Sequence, residues 1–184
     1  MPPPEFPPLA VLEAALNRTT ERLATELAAP RDDVPPWSPL EWRVARAAAA
    51  IQGIAPLLAG ALRWRGPDDW HDFLDRQRRQ CTLRHAHVTE RLAAIERGAR
   101  AAGVVVVPLK GAALYRARVH APGERSMGDV DLLVRPEDLP ATGRLLADLD
   151  YVQAFENRRH TAFAPRGAGP LVHYGEHVGN AVKV

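Results

Sequence analysis

Residues 128–134, GDVDLLV, constrain the fold more than any other stretch of the chain. Val130 and Leu132 alternate there with Asp129 and Asp131. Successive side chains of a strand point to opposite faces, so this pattern predicts a strand with one apolar face and one acidic face. An apolar face needs a layer packed against it. The chain must therefore form a sheet, although most of what precedes this stretch has the spacing of helices.

Apolar residues upstream recur at intervals of three and four, which is the period of an amphipathic helix. The first predicted helix runs from Leu9 to about Ala28. Ser38, Pro39 and Glu41 supply an N-cap, a first-turn proline and a capping-box acid, so a second helix begins there. Further predicted helices are a short one at Ile54–Trp64 and one that begins at Pro67, from which helical spacing continues to Gly103.

The helix that begins at Pro67 has an apolar side and an arginine-rich side. Trp70, Phe73, Leu74 and Cys81 are predicted to be buried. The arginines predicted to face solvent are Arg76, Arg78, Arg79 and Arg84. A nucleic-acid contact is the alternative for this run, but a solvated helix face is the favoured interpretation.

The second half of the chain alternates strands and helices. Val104–Val107 is predicted to be a strand buried on both faces, because its four consecutive residues are all β-branched. The other predicted strands are Gly128–Val134, Tyr151–Phe155, and a hairpin of Thr161–Ala164 with Leu171–Tyr174. The predicted helices are Ala112–Arg118 and one from Pro136 to about Leu149.

Composition limits the compartment and the partners of this chain. The net charge is +2, which does not by itself require a polyanionic partner. Cys81 is the single cysteine, and no secretory signal begins the sequence, so we expect a cytoplasmic protein without disulfides. Residues 47–62 are apolar but too short and too interrupted, by Gly53 and Pro56, to span a membrane.

The acidic face of residues 128–134 predicts a metal site. Asp129 and Asp131 are two residues apart, so on a strand their carboxylates lie on one side, with Cα atoms roughly 6.5–7 Å apart. Two such acids repel each other unless a cation lies between them. Hard oxygen ligands suit Mg²⁺, which commonly also binds nucleotide phosphates. The alternative is that both acids simply face solvent.

A turn upstream of the acids supplies groups that suit phosphate. Lys110 is one of only two lysines among 24 cationic residues. Gly111 beside it allows the backbone to approach an anion, and the start of the following helix offers free N–H groups. Lys110 would place a positive charge beside a triphosphate, and Arg125 would bind the triphosphate through bidentate hydrogen bonds. Separately, these residues could be an ordinary turn and a surface arginine.

Three motifs in register carry a family resemblance: LKGAAL at Lys110, GERSMGDVDLLV at the aspartates, and a helix that ends before Tyr151. Residues 92–151 resemble the uncharacterised nucleotidyltransferase family of the DNA polymerase β superfamily. The resemblance implies an α+β fold, with a small mixed β-sheet and flanking helices preceded by an N-terminal helical region. It also implies that Asp129 and Asp131 bind metal and that the nucleotide contacts are Lys110, Gly111, Ala112, Arg125 and Ser126.

The domain organisation follows from these elements and from the resemblance. Residues 1–8, with five prolines, are predicted to be a mobile arm, residues 9–84 a helical region, and residues 85–184 the nucleotidyltransferase core. Such proteins commonly carry a further C-terminal helical part, so the core is either a naturally short member of the family or truncated at its C-terminus.

The resemblance leaves the third carboxylate of the superfamily open. If His173 and Tyr174 match the family's histidine–aromatic pair, the acid's place is taken by Leu171, whereas a shifted alignment offers Glu176 as the catalytic base. His173 and His177 are four residues apart, but the neighbouring glycines argue against a helix that would pair them on a metal.

The predicted function is that of a Mg²⁺-dependent nucleotidyltransferase, which passes a nucleoside monophosphate from an NTP, expected to be ATP, to an acceptor and releases pyrophosphate. The acceptor is open among a small molecule, a peptide, a protein and an RNA end. The alternatives are an inactive nucleotide-binding or protein-interaction module of the same fold, and a toxin-like enzyme that modifies tRNA. No membrane partner is expected, and a homodimer is left open.

Overall fold

The computed structural model describes residues 7–125, 127–158, 160–167 and 182–184. Within those ranges it is an α+β protein whose N-terminal part is helical, as the sequence predicts. The elements in chain order are α1 Leu9–Ala28, α2 Pro39–Ile51, α3 Ala55–Ala61, α4 Asp68–Ala101, β1 Val107–Pro108, α5 Lys110–Arg116, β2 Leu132–Leu133, a 3₁₀ turn Pro136–Asp138, α6 Leu139–Asp148, β3 Tyr151–Glu156 and β4 Thr161–Pro165.

The chain forms two compact units, residues 1–79 and residues 80–184, and the division falls within α4. The sequence predicts a boundary between residues 84 and 85, five residues further along. Each unit has hydrophobic clusters of its own.

The first unit begins its second helix at the predicted cap. The Ser38 hydroxyl accepts a hydrogen bond from the Glu41 N–H at 3.3 Å, and a Glu41 carboxylate oxygen accepts one from the Ser38 N–H at 2.9 Å. This reciprocal pair satisfies two donors that the helix start would otherwise leave without partners. Pro39 occupies the first helical position, where no N–H is needed. The capping-box prediction is confirmed.

All four tryptophans of the chain pack together in the first unit. Trp37, Trp42, Trp64 and Trp70 have ring centroids 4.8–6.5 Å apart, mostly in edge-to-face arrangements. Such arrangements let the positive edge of one ring meet the negative face of another. The cluster continues into Phe73, so it forms the apolar centre of this unit.

The strands of the second unit make two antiparallel pairs. β1 pairs with β2 through Val107 opposite Leu133 and Pro108 opposite Leu132. β3 pairs with β4 from Tyr151 opposite Pro165 to Glu156 opposite Thr161, with an irregularity between Gln153 and Phe155. The predicted hairpin partner of β4, Leu171–Tyr174, lies outside the described residues.

Residues 182–184 connect these two pairs. The Val130 N–H donates to the Lys183 carbonyl at 2.8 Å, and Asp129 forms a parallel bridge with Lys183. Val184 and Phe163 exchange two backbone hydrogen bonds of 2.7 and 3.0 Å, the reciprocal pattern of antiparallel neighbours. The described segments are therefore hydrogen-bonded to one another in a fixed order. β1 comes first, followed by β2 together with residues 129–131, then residues 182–184, then β4 and finally β3.

The prediction that Val104–Val107 is buried on both faces is wrong. Only Val107 and Pro108 are in a strand, and the burial alternates: Val104 is buried, whereas Val105 is 53% exposed and Val107 45% exposed. β1 pairs with β2 in an antiparallel arrangement, and an antiparallel pair commonly has one face in solvent. A run of β-branched residues looks the same in sequence whether one face is covered or both.

No single helix among the described residues is long and apolar enough to cross a membrane. Only α2 and α3 taken together meet a length-and-composition criterion, and they are bent by 112° at the break between them.

Candidate active site

Asp129 and Asp131 flank a buried residue on a chain segment that is hydrogen-bonded on both sides. Val130 is 1% exposed and packs in the core of the second unit, whereas Asp129 is exposed and the Asp131 side chain is 34% exposed. The Val130 N–H is held by Lys183, and the Asp131 carbonyl accepts the Leu109 N–H at 2.8 Å. The alternation predicted for residues 129–131 is present, so both acids belong to the side opposite Val130.

Lys110 follows Leu109 in the chain. The hydrogen bond between Leu109 and Asp131 therefore brings the Lys110 side chain close to the Asp131 carboxylate. The Lys110 ammonium nitrogen lies 3.1 Å from a carboxylate oxygen of Asp131. The side chain is 75% exposed. An ion pair this exposed contributes roughly 0–1 kcal/mol, so a bound anion or cation can break it at little cost.

The backbone of Lys110 is in the left-handed region, with φ 46°. A residue with a Cβ is strained there, at roughly 1–3 kcal/mol. The helix it begins, α5, has only seven residues. Its backbone dipole is correspondingly weak, so the side-chain charge of Lys110 is the stronger attraction for an anion.

Gly111 and Ala112 are buried rather than open to a ligand. A Cβ added at Gly111 would lie 2.5 Å from the sulfur of Met127, so packing against Met127 accounts for the glycine. The Ala112 side chain is 1% exposed and belongs to the same hydrophobic cluster as Met127 and Val130. Neither residue therefore offers an exposed side chain to a nucleotide.

Arg125 lies in the loop between α5 and Asp129. Its side chain is exposed, and its backbone carbonyl accepts a 2.5 Å hydrogen bond from the hydroxyl of Tyr115. Burial raises the pKa of Tyr115 to about 12, so the hydroxyl keeps its proton and can donate at physiological pH. Tyr115 thereby ties the loop that carries Arg125 to α5. Ser126 lies outside the described residues.

The prediction that Arg84 faces solvent is wrong. Arg84 is 8% exposed, and its guanidinium donates to the Met127 carbonyl and, at 2.7 Å, to the Gly128 carbonyl. Burial lowers the pKa of Arg84, while the negative charge of Asp129 acts to raise it. Because the ordinary pKa of a guanidinium is far above 7, Arg84 stays charged. It holds the two residues that come directly before Asp129.

Sequence reasoning missed Arg84 and Tyr115, although a signal for Arg84 was present. Arg84 is three residues after Cys81 and four before Val88, both of which are buried. That spacing places it on the apolar stripe of α4 and not on the opposite side. Its charge led to its assignment to solvent with Arg76, Arg78 and Arg79, which are exposed.

A third acid beside the pair is not part of what the structure describes. Within residues 7–125, 127–158, 160–167 and 182–184, no three histidine, cysteine, aspartate or glutamate side chains are grouped as metal ligands. Glu176, the candidate base, lies outside these ranges, as do His173 and His177.

Comparison with protein families gives one match. Residues 38–179, more than three quarters of the chain, match the family described as uncharacterised nucleotidyltransferase. The matched range includes the capped start of α2, the Lys110–Gly111 turn and both aspartates. No curated protein and no solved structure matched the chain. The extent of the family match shows that the chain belongs to the uncharacterised nucleotidyltransferases.

Proposed function

We propose that this protein is a Mg²⁺-dependent nucleotidyltransferase that passes a nucleoside monophosphate from an NTP, expected to be ATP, to an acceptor and releases pyrophosphate. Membership of the family supports nucleotidyl transfer in general terms. The observation that carries the finer proposal is the acid pair Asp129 and Asp131 on the side opposite the buried Val130, with the Lys110 ammonium 3.1 Å from Asp131.

The chemistry of the donor set fits Mg²⁺. Asp129 and Asp131 are hard oxygen ligands, and Mg²⁺ is usually bound by one or two carboxylates together with substrate phosphates and water. When bound, the ion would offset negative charge on the phosphates. Asp129 and Asp131 are the residues that would hold it.

Lys110 can pair first with Asp131 and then with a phosphate. Without ligand, its ammonium offsets the charge of Asp131. A cation bound by Asp131 would remove the need for that contact, and the exposed lysine stem can then turn toward a phosphate. Lys110 would thus bind the triphosphate beside the metal ligands, and Arg125 would bind it from the loop.

The proposed reaction is a direct transfer in one step and needs no covalent enzyme intermediate. An acceptor oxygen bonds to the α-phosphorus, the bond from that phosphorus to the bridging oxygen breaks, and pyrophosphate leaves with the electron pair. The acceptor proton goes to a general base, for which Glu176 remains the candidate. The residues of the site would contribute position and charge, which is the main source of catalysis in phosphoryl transfer.

The test is transfer of label from α-labelled NTPs in the presence of Mg²⁺, with and without tRNA as acceptor. Asp129→Asn and Asp131→Asn should each lower the rate by about 100-fold or more, because each removes a metal ligand. Asp148→Asn, a change at an exposed acid of α6, is the matched control and should retain the rate.

Each outcome of this test has a separate meaning. Nucleotide binding without turnover would favour the inactive module, and label on tRNA would favour the tRNA-modifying enzyme. If wild-type protein binds neither Mg²⁺ nor any NTP, the proposed function is wrong.

A further inference from the structure

The backbone just before Asp129 is held by two buried side chains from two different helices. Arg84 of α4 donates to the carbonyls of Met127 and Gly128, and Tyr115 of α5 donates to the carbonyl of Arg125. We call Arg84 and Tyr115 the carbonyl clamp. Its two members fix three of the four carbonyls between residues 125 and 128.

The two members of the carbonyl clamp also belong to one packed group. Tyr115 is 7% exposed, shares a hydrophobic cluster with Met127, and lies against the His85 ring at a centroid distance of 4.3 Å. His85 is the next residue after Arg84. Movement of either donor would therefore disturb the other, and both would move the segment that carries Arg125 and Asp129.

We propose that Arg84 and Tyr115 are positioning residues of the nucleotidyltransferase site: by holding the carbonyls of residues 125, 127 and 128 they set where Arg125 and Asp129 lie relative to Asp131. The inference rests on the proposed function, since it assigns a purpose to the geometry of that site. Asp131 is fixed separately, by its backbone bond to Leu109. The clamp therefore holds the chain on the Arg125 side of Asp129, whereas Lys183 and Leu109 hold the chain on the Asp131 side.

The position of Asp129 matters because an ion can be bound by both carboxylates only when the two lie within bonding distance of it at once. The residues that orient metal ligands typically change metal affinity or activity by about 10–100-fold when they are replaced. Hydrogen bonds to backbone carbonyls act on the ligand indirectly, by restricting the motion of the chain segment that carries it.

The alternative is that Arg84 serves stability alone, and two conservative changes separate these roles. Arg84→Lys keeps the charge and most of the stem, but an ammonium is a point donor without the planar fork that reaches two carbonyls. Tyr115→Phe removes only the hydroxyl. It provides a test even if the lysine variant fails to fold.

Matched controls exist for both changes. Arg22 of the first unit is also largely buried and joins Glu26 to Asp33, so Arg22→Lys is the equivalent loss of a structural guanidinium. Tyr151, 3% exposed in the other cluster of the second unit, provides Tyr151→Phe. Arg22→Lys is expected to lower the melting temperature, and neither control should change the metal dependence of the protein.

The experiment uses the full chain and three readouts. Hydrogen exchange followed by mass spectrometry, without ligand, should show faster exchange in the peptide covering residues 117–131 for Arg84→Lys and Tyr115→Phe, and not in peptides from α6. Mn²⁺ binding measured by electron paramagnetic resonance should weaken by about 10–100-fold. The Mg²⁺ concentration that gives half-maximal turnover should rise by about the same factor.

The outcomes distinguish this inference from the proposed function. If wild-type protein turns over and Arg84→Lys shows a lower melting temperature with wild-type exchange at residues 117–131 and a wild-type Mg²⁺ midpoint, the clamp is wrong and the proposed function stands. If wild-type protein neither turns over nor binds nucleotide, the proposed function is wrong, and the exchange data alone decide whether the clamp holds the segment.

Discussion

Lys110 combines a strained backbone with the positive charge that the proposed function assigns to the triphosphate. Its φ of 46° is one that glycine adopts freely, and its ammonium lies beside Asp131. Replacement by glycine relieves the strain and removes the charge together, and two different measurements, of stability and of nucleotide affinity, separate the two effects.

Lys110→Gly is expected to leave the free energy of unfolding within about 1 kcal/mol of wild type, since relief of strain offsets the greater freedom of glycine in the unfolded chain. Affinity for NTP should fall by about tenfold to hundredfold through loss of a charged hydrogen bond. Urea unfolding and titration with a fluorescent nucleotide measure the two effects.

Arg118→Gly is the matched control, because Arg118 also has a positive φ, 54°, and has no role in the proposed site. It should be neutral or stabilising and should leave nucleotide affinity unchanged. A Lys110→Gly protein that binds nucleotide as wild type does would contradict the assignment of Lys110 to the triphosphate.

Gly111 gives a second prediction at this scale. Gly111→Ala places a Cβ 2.5 Å from the sulfur of Met127 and 3.1 Å from its Cγ, so Met127 must move. We expect a loss of about 1–3 kcal/mol from overpacking. Because the Met127 carbonyl is bound by Arg84, the shift should also lower turnover in the folded protein.

Gly98→Ala separates the two effects of the Gly111 change. A Cβ at Gly98 would collide with Leu145, in the other cluster of the second unit. This variant should lose stability with turnover per folded molecule unchanged. Equal turnover losses in the two variants would mean that Met127 has no special connection to the site.

At the scale of elements, local signals predicted starts and ends well. α1 has the predicted bounds, Ser38 caps α2, and Gly103 follows the end of α4 with φ 68°. These features are predictable because they depend on neighbouring residues. β2 is shorter than predicted, and the strand segment around Asp129 has Lys183 as its neighbour, 54 residues away. Nothing in residues 128–134 could indicate that partner.

The candidate site likewise has one part that could be predicted from the sequence and one part that could not. The alternation of Asp129 and Asp131 about Val130 was readable from the period of a strand. The carbonyl clamp could not be predicted from the sequence. Every residue has a backbone carbonyl, so the residue type at the accepting position does not indicate that a side chain will bind there. Arg84 acquires its role only when α4 is packed against a loop more than 40 residues further along.

The cap of α2 predicts a pH dependence. Hydrogen bonds from the Ser38 backbone and hydroxyl, and from Arg18, lower the pKa of Glu41 from its ordinary 4.5 to about 2. A lowered folded-state pKa gives stability that is present above pH 4.5 and is lost as the pH falls toward 2. Glu41→Gln should therefore flatten the stability curve of the first unit between these two pH values.

Urea midpoints from tryptophan fluorescence, taken at intervals across that pH window, measure the effect. Ser38→Ala keeps the backbone N–H and removes the hydroxyl, so it should flatten the same window in part. A Glu41→Gln curve that runs parallel to wild type between pH 2 and pH 4.5 would contradict this assignment.

At the scale of the whole molecule, the two units can be observed separately. The four tryptophans lie between residues 37 and 70, so intrinsic fluorescence reports the first unit, whereas far-ultraviolet circular dichroism reports the helices of both. Separate hydrophobic clusters suggest separate unfolding transitions, and a mutation confined to one unit tests this.

Val182→Asp should unfold the second unit selectively. Val182 is 3% exposed in the cluster with Val130, and a buried unpaired carboxylate costs about 3 kcal/mol or more. The circular dichroism transition should become biphasic while the fluorescence transition stays in place. Lys183→Ser, at an exposed side chain of the same segment, is the control. Coincident transitions in Val182→Asp would mean that the units unfold as one.

The position of residues 182–184 between the strand segment at Asp129 and β4 also has a consequence for synthesis. A ribosome makes the two aspartates more than 50 residues before it makes the segment that holds Val130. Contacts so distant in sequence form late. A nascent chain would therefore carry both aspartates before it contains the residue that accepts the hydrogen bond of Val130, and this support for the acid pair would be added only when residues 182–184 emerge from the ribosome.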